Sequence, residues 1–235
     1  MESIADRWQA VDERIRAACE RAGRSRDEVL VVAVTKTHPP ETVVEAVRIG
    51  LSDFGENYVQ ELLAKREVVE AQVGGPLRWH FIGHLQRNKA KHLVDFCTLI
   101  HSVDSVKLAD EIEKRAGRVG RRQAVLIEVD IAGEESKFGV PPREVAQLAE
   151  YLLELQHVDL QGLMTMAPYS PDPETSRPIY ARLRELRDQL VAEGIPAQNM
   201  RDLSMGMTQD FEVAIEEGAT IVRIGTAIFG PRQQK

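Results

Sequence analysis

Short apolar runs alternate with amphipathic stretches along almost the whole chain. The first run, residues 29–35, is rich in β-branched side chains and is soon followed by Pro39 and Pro40, which predicts a short buried strand. Eight such runs predict strands at residues 29–35, 53–55, 78–82, 98–102, 123–131, 160–166, 202–205 and 220–224. Apolar residues at helical spacing predict helices over residues 6–21, 41–49, 57–72, 86–94, 105–117, 142–156, 174–193 and 208–217.

The alternation of strands and helices favours an α/β fold with a parallel sheet. Eight strands in a chain of 235 residues fit a closed (β/α)8 barrel, the TIM barrel, with an extra amino-terminal helix before the first strand. An open doubly wound sheet is the alternative, because local sequence does not report closure. The chain has no Gly/Ser/Pro-rich linker, and its longest loop, residues 167–173, follows a strand. We therefore expect a single domain over residues 1–235.

Composition narrows the class of protein. With 43% hydrophobic and 29% charged residues, the chain is typical of a soluble globular protein, and no apolar stretch is long enough to span a bilayer. The first residues lack the basic start and apolar core of a signal peptide, so we expect a cytoplasmic location. The net charge of −7 argues against general nucleic-acid binding. Cys19 and Cys97 lack metal-ligand spacing, which favours buried free thiols over a disulfide or a metal site.

Polar residues are frequent where the predicted strands end, and these ends form the functional face of a parallel barrel. Lys36 stands directly after the first strand. The apolar strand behind it would partly desolvate its ammonium group and favour the free amine, which can form a Schiff base with a carbonyl compound. A lysine that only ends the strand and faces solvent is the alternative.

Small and hydroxyl-bearing residues cluster after the last two strands: Ser204, Gly206, Thr208, Gly225 and Thr226. Such residues are typical of a phosphate site in a barrel, although each one alone is more typical of a turn or a helix cap. Strands one and eight are neighbours in a closed barrel, so the cluster would lie beside Lys36. The lysine and the cluster together predict a ligand with an aldehyde and a phosphate. Pyridoxal 5′-phosphate fits, with Arg223 placed to reach its ring nitrogen. The substrates of Schiff-base aldolases also fit.

Seven ordered segments carry a more specific pattern: VAVTKTHP at 32–39, FGENYVQE at 54–61, WHFIGHLQRNK at 79–89, SKFG at 136–139, GLMTM at 162–166, LSMGMTQD at 203–210 and VRIGTAIFG at 222–230. Together they resemble the pyridoxal phosphate homeostasis protein family over nearly the whole chain. The resemblance implies a barrel like the amino-terminal domain of alanine racemase, with pyridoxal 5′-phosphate as the cofactor.

The resemblance also implies a cofactor site made of Lys36, Asn57, His84, Ser204, Arg223, Gly225 and Thr226. Lys36 would hold the cofactor as a covalent Schiff base (aldimine), and Arg223 would face the pyridine nitrogen. Ser204, Gly225 and Thr226 would bind the phosphate. Asn57 and His84 would lie near the ring, although Asn57 is equally typical of a helix cap.

Three other residues near the strand ends have weaker signals. His80 alternates with Trp79 on a strand, and we expect it to face the core or a neighbouring helix rather than the ligand. Met166 and Met205 come closest to the strand ends and would form an apolar wall against the cofactor ring.

The function that these features favour is reversible binding of the cofactor. An arginine opposite the ring nitrogen would leave that nitrogen unprotonated and weaken the cofactor as an electron sink. We also expect no second domain that would bring a catalytic base, because the chain ends soon after the eighth strand. The prediction is therefore a non-catalytic carrier or regulator in vitamin B6 homeostasis, monomeric and delivering the cofactor transiently to apo-enzymes. A pyridoxal phosphate-dependent amino-acid racemase is the alternative.

Overall fold

Eight parallel strands close into a barrel in which each strand pairs with its neighbours in chain order and β8 pairs with β1. The structure, a computed structural model, describes residues 2–133 and 138–231. The strands are β1 (Leu30–Val34), β2 (Asp53–Glu56), β3 (Arg78–Phe81), β4 (Leu99–Val103), β5 (Gln123–Glu128), β6 (Val158–Met164), β7 (Asp202–Ser204) and β8 (Ile221–Ile224). The predicted (β/α)8 barrel is confirmed, and the open sheet is excluded.

The helices cover the outside of the barrel. They are α1 (Ile4–Arg21), α2 (Pro40–Arg48), α3 (Val59–Val73), α4 (Val106–Arg118), α5 (Val145–Glu154), α6 (Arg177–Ala192), α7 (Phe211–Glu216) and α8 (Thr226–Phe229). The extra amino-terminal helix α1 starts at a Ser3 capping box and packs against α7 and α8. The short helix α8 was not predicted.

Several predicted boundaries shift by up to three residues, and the helix predicted after β3 differs in type. Residues Arg87–His92 form a 3₁₀-helix instead of an α-helix over 86–94; only Ala90 among those six residues is buried, so the segment lacks the apolar face that stabilises an α-helix. Strand β5 ends at Glu128 rather than at residue 131. There the chain turns to pair with Val140, whose N–H donates to the Glu128 carbonyl oxygen at 2.8 Å.

The apolar residues form two clusters. The large one lies between the strands and the surrounding helices. The small one consists of Val32, Leu99, Leu126, Met164 and Ile221. Because alternate side chains of a strand point to opposite faces, these five fill the barrel interior. Polar side chains occupy the rest of the interior and lead to the strand ends.

Other expectations from composition can be compared with the structure. Cys19 and Cys97 are both buried free thiols, as predicted, and burial raises the pKa of Cys97 to about 12. Within residues 2–133 and 138–231, no helix is long and apolar enough to cross a bilayer, and no group of three or more potential ligands is placed to hold a metal ion.

Candidate functional site at the carboxyl ends of the strands

A cavity of about 280 Å³ opens where the strands end, and we call it the lysine cavity. Its lining comes mainly from β1, from the loops after β6 and β7, and from β8 with its following turn. Five of the seven predicted site residues line it: Lys36, Asn57, Arg223, Gly225 and Thr226. The barrel therefore brings the lysine and the glycine–threonine turn together, as strand closure required.

A larger cavity of about 900 Å³ lies at the opposite end of the barrel, where the strands begin. Its lining includes Arg78 and His80, which both bond to the carboxylate of Asp53. Barrel enzymes and binding proteins place their ligands at the carboxyl ends of the strands. We therefore assign the smaller cavity as the functional site and the larger one to the base of the scaffold.

Lys36 is presented by a tight turn after β1. It is partly exposed and lines the lysine cavity. The next residue, Thr37, has a φ of 67°, which is unusual for a β-branched residue. The Thr37 backbone N–H donates to Oε1 of Glu61 on α3, at 2.5 Å, and this bond compensates for the strained turn.

A buried lysine on α3 supports the same turn. Lys65 is only 3% exposed, and its Nζ donates to the carbonyl oxygen of Thr35 at 2.7 Å. It also donates to the carboxylates of Glu56 and Glu61. The Thr35 hydroxyl donates to Glu56 as well, at 2.7 Å. This cluster was not predicted from the sequence, where a lysine within the apolar spacing of a helix is its one visible signal.

Arg223 forms the floor of the lysine cavity and is 4% exposed. One terminal nitrogen donates to the Ser204 hydroxyl at 2.6 Å, and the other donates to the carbonyl oxygen of Thr165 at 2.9 Å. Both bonds are buried, so they fix the plane of the guanidinium group. An arginine has five N–H donors, and those not used here remain for a ligand.

Arg223 is buried, and burial disfavours its charged form. Burial lowers its pKa, while Tyr180, Glu128 and Asp210 oppose that shift. Because the intrinsic pKa of a guanidinium group is above 12, the side chain stays cationic at neutral pH. The lysine cavity therefore has a fixed positive charge and hydrogen-bond donors on its floor.

The loop after β7 and the turn after β8 form a corner rich in backbone N–H groups and hydroxyls. Thr208 and Thr226 both line the lysine cavity there. The Thr208 hydroxyl accepts from the Ala227 N–H at 3.3 Å, and the Gly206 carbonyl oxygen accepts from the Arg223 N–H at 2.9 Å. Thr208 belongs to the cluster that the sequence indicates as a phosphate site, and in the structure it lines the lysine cavity.

Asp210 holds the loop after β7 in shape. Its carboxylate accepts from the Met207 N–H at 2.7 Å, from the Ser176 hydroxyl at 2.9 Å and from the Tyr180 hydroxyl at 2.7 Å. Burial is the main reason that the pKa of Tyr180 is raised. Three donors on one carboxylate fix the position of the loop. The contacts with Ser176 and Tyr180 could not be predicted from the local sequence, because these two residues lie 34 and 30 residues before Asp210.

Two residues that we expected to contact the ligand do not line the lysine cavity. Ser204, which we expected to bind phosphate, is fully buried and is not among the residues that line the lysine cavity; its hydroxyl contacts Arg223 and His101 instead. Met205 is fully buried in the outer core, so it does not form the expected wall. Met166 and Met207 supply that apolar surface.

His84 belongs to a neighbouring cavity of about 460 Å³, which we call the glutamate cavity after Glu128. The two cavities share Asn57, Ile82 and Met166. The His84 ring stacks on Phe138 with 3.6 Å between centroids and an angle of 11°. Of the predicted segment 136–139, the first two residues lie outside the described residues.

Asn57 is positioned by a close backbone contact. A Cβ atom at Gly83 would lie 2.3 Å from the Asn57 carbonyl oxygen, so only glycine fits at this position. The Asn57 Oδ1 atom is buried and has no hydrogen-bond partner among the described residues. The predicted alternative, a cap for the next helix, is not seen, because α3 starts at Val59 after Tyr58 without a side-chain cap.

The fold and the site define a protein with an alanine racemase-type barrel. The model of the family described as "Alanine racemase, N-terminal domain" matches residues 7–233. Proteins named pyridoxal phosphate homeostasis protein are similar along almost the whole chain: that of Aquifex aeolicus is 52% identical, covering 98% of this chain and 99% of its own, and that of Pseudomonas aeruginosa is 40% identical, covering 99% and 97%.

A solved structure supports the same grouping. The structure of PipY from Synechococcus elongatus, described as having PLP bound, has a TM-score of 0.83 and 34% sequence identity, covering 97% of this chain and all of that chain. This chain belongs to the pyridoxal phosphate homeostasis protein family.

Proposed function

We propose that this protein binds pyridoxal 5′-phosphate in the lysine cavity and acts in intracellular vitamin B6 homeostasis. The observation that carries the proposal is the joint placement of Lys36, Arg223 and the Gly225–Thr226 turn around one cavity. When bound, the cofactor supplies an aldehyde that reacts with amines. Lys36 would hold it as a Schiff base, and a lysine near the cavity floor is the residue type that this bond needs.

The remaining residues of the cavity match the other parts of the cofactor. Arg223 would donate to the ring nitrogen, since its charged guanidinium group is held in the floor by Ser204 and Thr165. Thr208, Thr226 and the backbone at Gly225 would bind the phosphate. Asn57 and His84 would flank the ring from the side of the glutamate cavity. In this assignment Ser204 acts through Arg223 rather than on the phosphate.

We further propose that the protein is a carrier or regulator without catalytic turnover. Arg223 supports this proposal, because a permanently charged donor opposite the ring nitrogen disfavours protonation of that nitrogen and so weakens the cofactor as an electron sink. Relatives carry the name of a homeostasis protein rather than that of an enzyme. A cytoplasmic monomer of one domain, meeting apo-enzymes transiently, fits this role.

The Lys36→Ala variant tests the attachment site. Purified protein incubated with pyridoxal 5′-phosphate should develop the visible absorption of a Schiff base, and the Lys36→Ala variant should lose it. Borohydride reduction followed by peptide mass mapping should place the cofactor on residue 36. The control is Lys107→Ala, which removes an exposed lysine from α4 and should leave the absorption unchanged. Full absorption in the Lys36→Ala variant would refute the assignment.

A transfer assay separates the carrier from the racemase. The loaded protein, freed of unbound cofactor, is mixed with an apo-enzyme that depends on pyridoxal 5′-phosphate, and recovery of that enzyme's activity is followed over time. In parallel, the loaded protein is incubated with single amino acids and their enantiomers are quantified. We expect recovery of the apo-enzyme and no racemisation. Multiple turnovers on any amino acid would favour the racemase alternative.

A further inference from the structure

A line of buried hydrogen bonds crosses the barrel interior from the cavity floor to the opposite end. Arg223 donates to the Ser204 hydroxyl at 2.6 Å, and Ser204 lies 2.9 Å from Nδ1 of His101. His101 Nε2 lies 3.0 Å from His80 Nδ1, and His80 Nε2 lies 3.1 Å from the Asp53 carboxylate. All five residues are less than 5% exposed.

The two ends of this line determine its direction. Arginine can only donate hydrogen bonds, and an ionised carboxylate can only accept them. Ser204 accepts from Arg223, and its only other hydrogen-bond partner among the described residues is His101. A fully buried hydroxyl that donates to nothing is costly, so Ser204 donates to His101 Nδ1.

The histidine tautomers follow from that first step. A ring that accepts at Nδ1 cannot be doubly protonated, so His101 is neutral, and burial, which lowers its pKa well below the ordinary value, favours the same form. A neutral ring that accepts at Nδ1 carries its proton on Nε2 and donates it to His80 Nδ1. His80 in turn donates from Nε2 to Asp53. Every bond then points the same way, from Arg223 towards the base of the barrel.

We propose that His101 and His80 are positioning residues that hold Ser204 as an oriented acceptor and so aim the guanidinium group of Arg223 at the ligand in the lysine cavity. The direction of the hydrogen-bond line stands on the geometry alone. Its effect on the cofactor rests on the proposed function. A misaligned Arg223 would no longer face the ring nitrogen, and the protonation of that nitrogen would become sensitive to pH.

The first test uses the protein without cofactor. Two-dimensional NMR that correlates the ring nitrogens with the ring carbon-bound protons reports the tautomer of each histidine. We expect His80 and His101 each to carry a proton on Nε2 and none on Nδ1 at pH 8. A doubly protonated His80, which would reverse the bond to His101, or an Nδ1–H tautomer at either ring would overturn the proposal whether or not the cofactor binds.

The second test uses three variants and a control with the cofactor present. His101→Phe keeps a ring but removes both bonds, His101→Gln can supply a donor and an acceptor, and Ser204→Ala removes the acceptor of Arg223 with little change in volume. The control is His157→Phe, which removes a histidine bonded to Glu113 outside this line. The dissociation constant and the pH dependence of the absorption of the bound cofactor are measured for each.

We expect His101→Phe and Ser204→Ala to weaken cofactor binding roughly tenfold, the loss of one bond to a charged group, and to make the absorption change with pH. His101→Gln should recover most of both properties, and His157→Phe should match the parent. If His101→Phe does not fold, Ser204→Ala supplies the same readout. Unchanged binding and spectra in the folded variants would overturn the positioning role. If the parent protein binds no cofactor, the proposed function fails, while the NMR result still decides the direction of the bonds.

Discussion

Asp53 and Glu128 are carboxylates with the same exposed fraction, 4%, at opposite ends of the barrel interior, yet they ionise differently. Asp53 opens β2 at the base of the barrel, and it accepts bonds from Arg78, His80 and Ser52. Burial alone would raise the pKa of Asp53, but these three donors outweigh it and hold the pKa well below its ordinary value. The buried charge at the base is therefore compensated within the protein.

Glu128 closes β5 at the other end, where it lines the glutamate cavity. Its Oε2 atom is buried without a hydrogen-bond partner among the described residues. Burial, together with the charges of Asp104 and Asp130, raises the pKa of Glu128 to about 7, although Arg223 opposes the shift. Equal burial thus gives opposite shifts, because the partners and not the exposed area decide which form is stable.

The difference between the two ends indicates which end stabilises the fold and which end carries the candidate binding site. At the base, Arg78, His80 and Ser52 compensate the charge of the Asp53 carboxylate, and the line of hydrogen bonds from Arg223 ends on it. At the mouth of the barrel, where the strands end, acceptor atoms of Glu128 and Asn57 lie beside the two cavities without a hydrogen-bond partner among the described residues. Glu56 Oε2 and Gln123 Oε1 are also buried without a partner among the described residues, but only Glu128 and Asn57 line the two cavities, where a ligand could supply the missing hydrogen bonds.

Removal of Asp53 should have the larger effect on stability. In Asp53→Ala, Arg78 loses its partner and the buried His80 loses its acceptor, so the free energy of unfolding at pH 7 should fall by about 3 kcal/mol. Urea denaturation measures this change. The contribution of Asp53 is present above its ordinary pKa, near 4, and is lost as the pH falls towards its lower folded-state pKa. The difference between parent and variant should therefore shrink below about pH 4.

A matched control is Asp188→Ala, which removes a carboxylate from an exposed ion pair with Arg187 on α6. This change should cost less than about 0.5 kcal/mol. A loss in Asp53→Ala no larger than that of the control would show that the base of the barrel is not stabilised by this charge, and the comparison between the two ends would fail.

The architecture was predictable because it depends on local patterns repeated many times. The apolar runs and helical spacings predict the order of the strands and helices. Closure of the barrel then makes β1 and β8 neighbours, as the pairing of Val32 with Arg223 shows. Lys36 and the Gly225–Thr226 turn could then be placed together from the sequence. Their position depends only on strand ends, which the Pro and Gly residues mark.

The supporting contacts were not predictable, because each joins elements far apart in sequence through a register that local patterns do not report. Lys65 reaches back 30 residues to Thr35, and Ser204 lies 103 residues after His101. Ser204 has the residue type of a phosphate ligand, yet it is the last residue of β7 and faces the interior. Residue type indicated its chemistry, and only the fold showed that its partner is Arg223.

Glu128→Gln should change the stability less than Asp53→Ala does, and in the opposite direction. The size of the change should depend on pH. The folded protein keeps the Glu128 proton up to about pH 7, whereas the unfolded chain loses it near pH 4.5. Between these values the folded state binds more protons, so the stability of the parent falls as the pH rises. Glutamine removes that dependence.

At pH 5 the Glu128→Gln variant should match the parent within about 0.5 kcal/mol, and at pH 8 it should be more stable by about 2 kcal/mol, a value reduced from the full shift because the cavity admits water. Urea denaturation at both pH values measures this, with Glu20→Gln on the exposed face of α1 as the control. A loss of stability at pH 8 would mean that the Glu128 carboxylate is compensated as Asp53 is. In that case the mouth and the base of the barrel would handle buried charge alike, and the unpaired glutamate would no longer distinguish them.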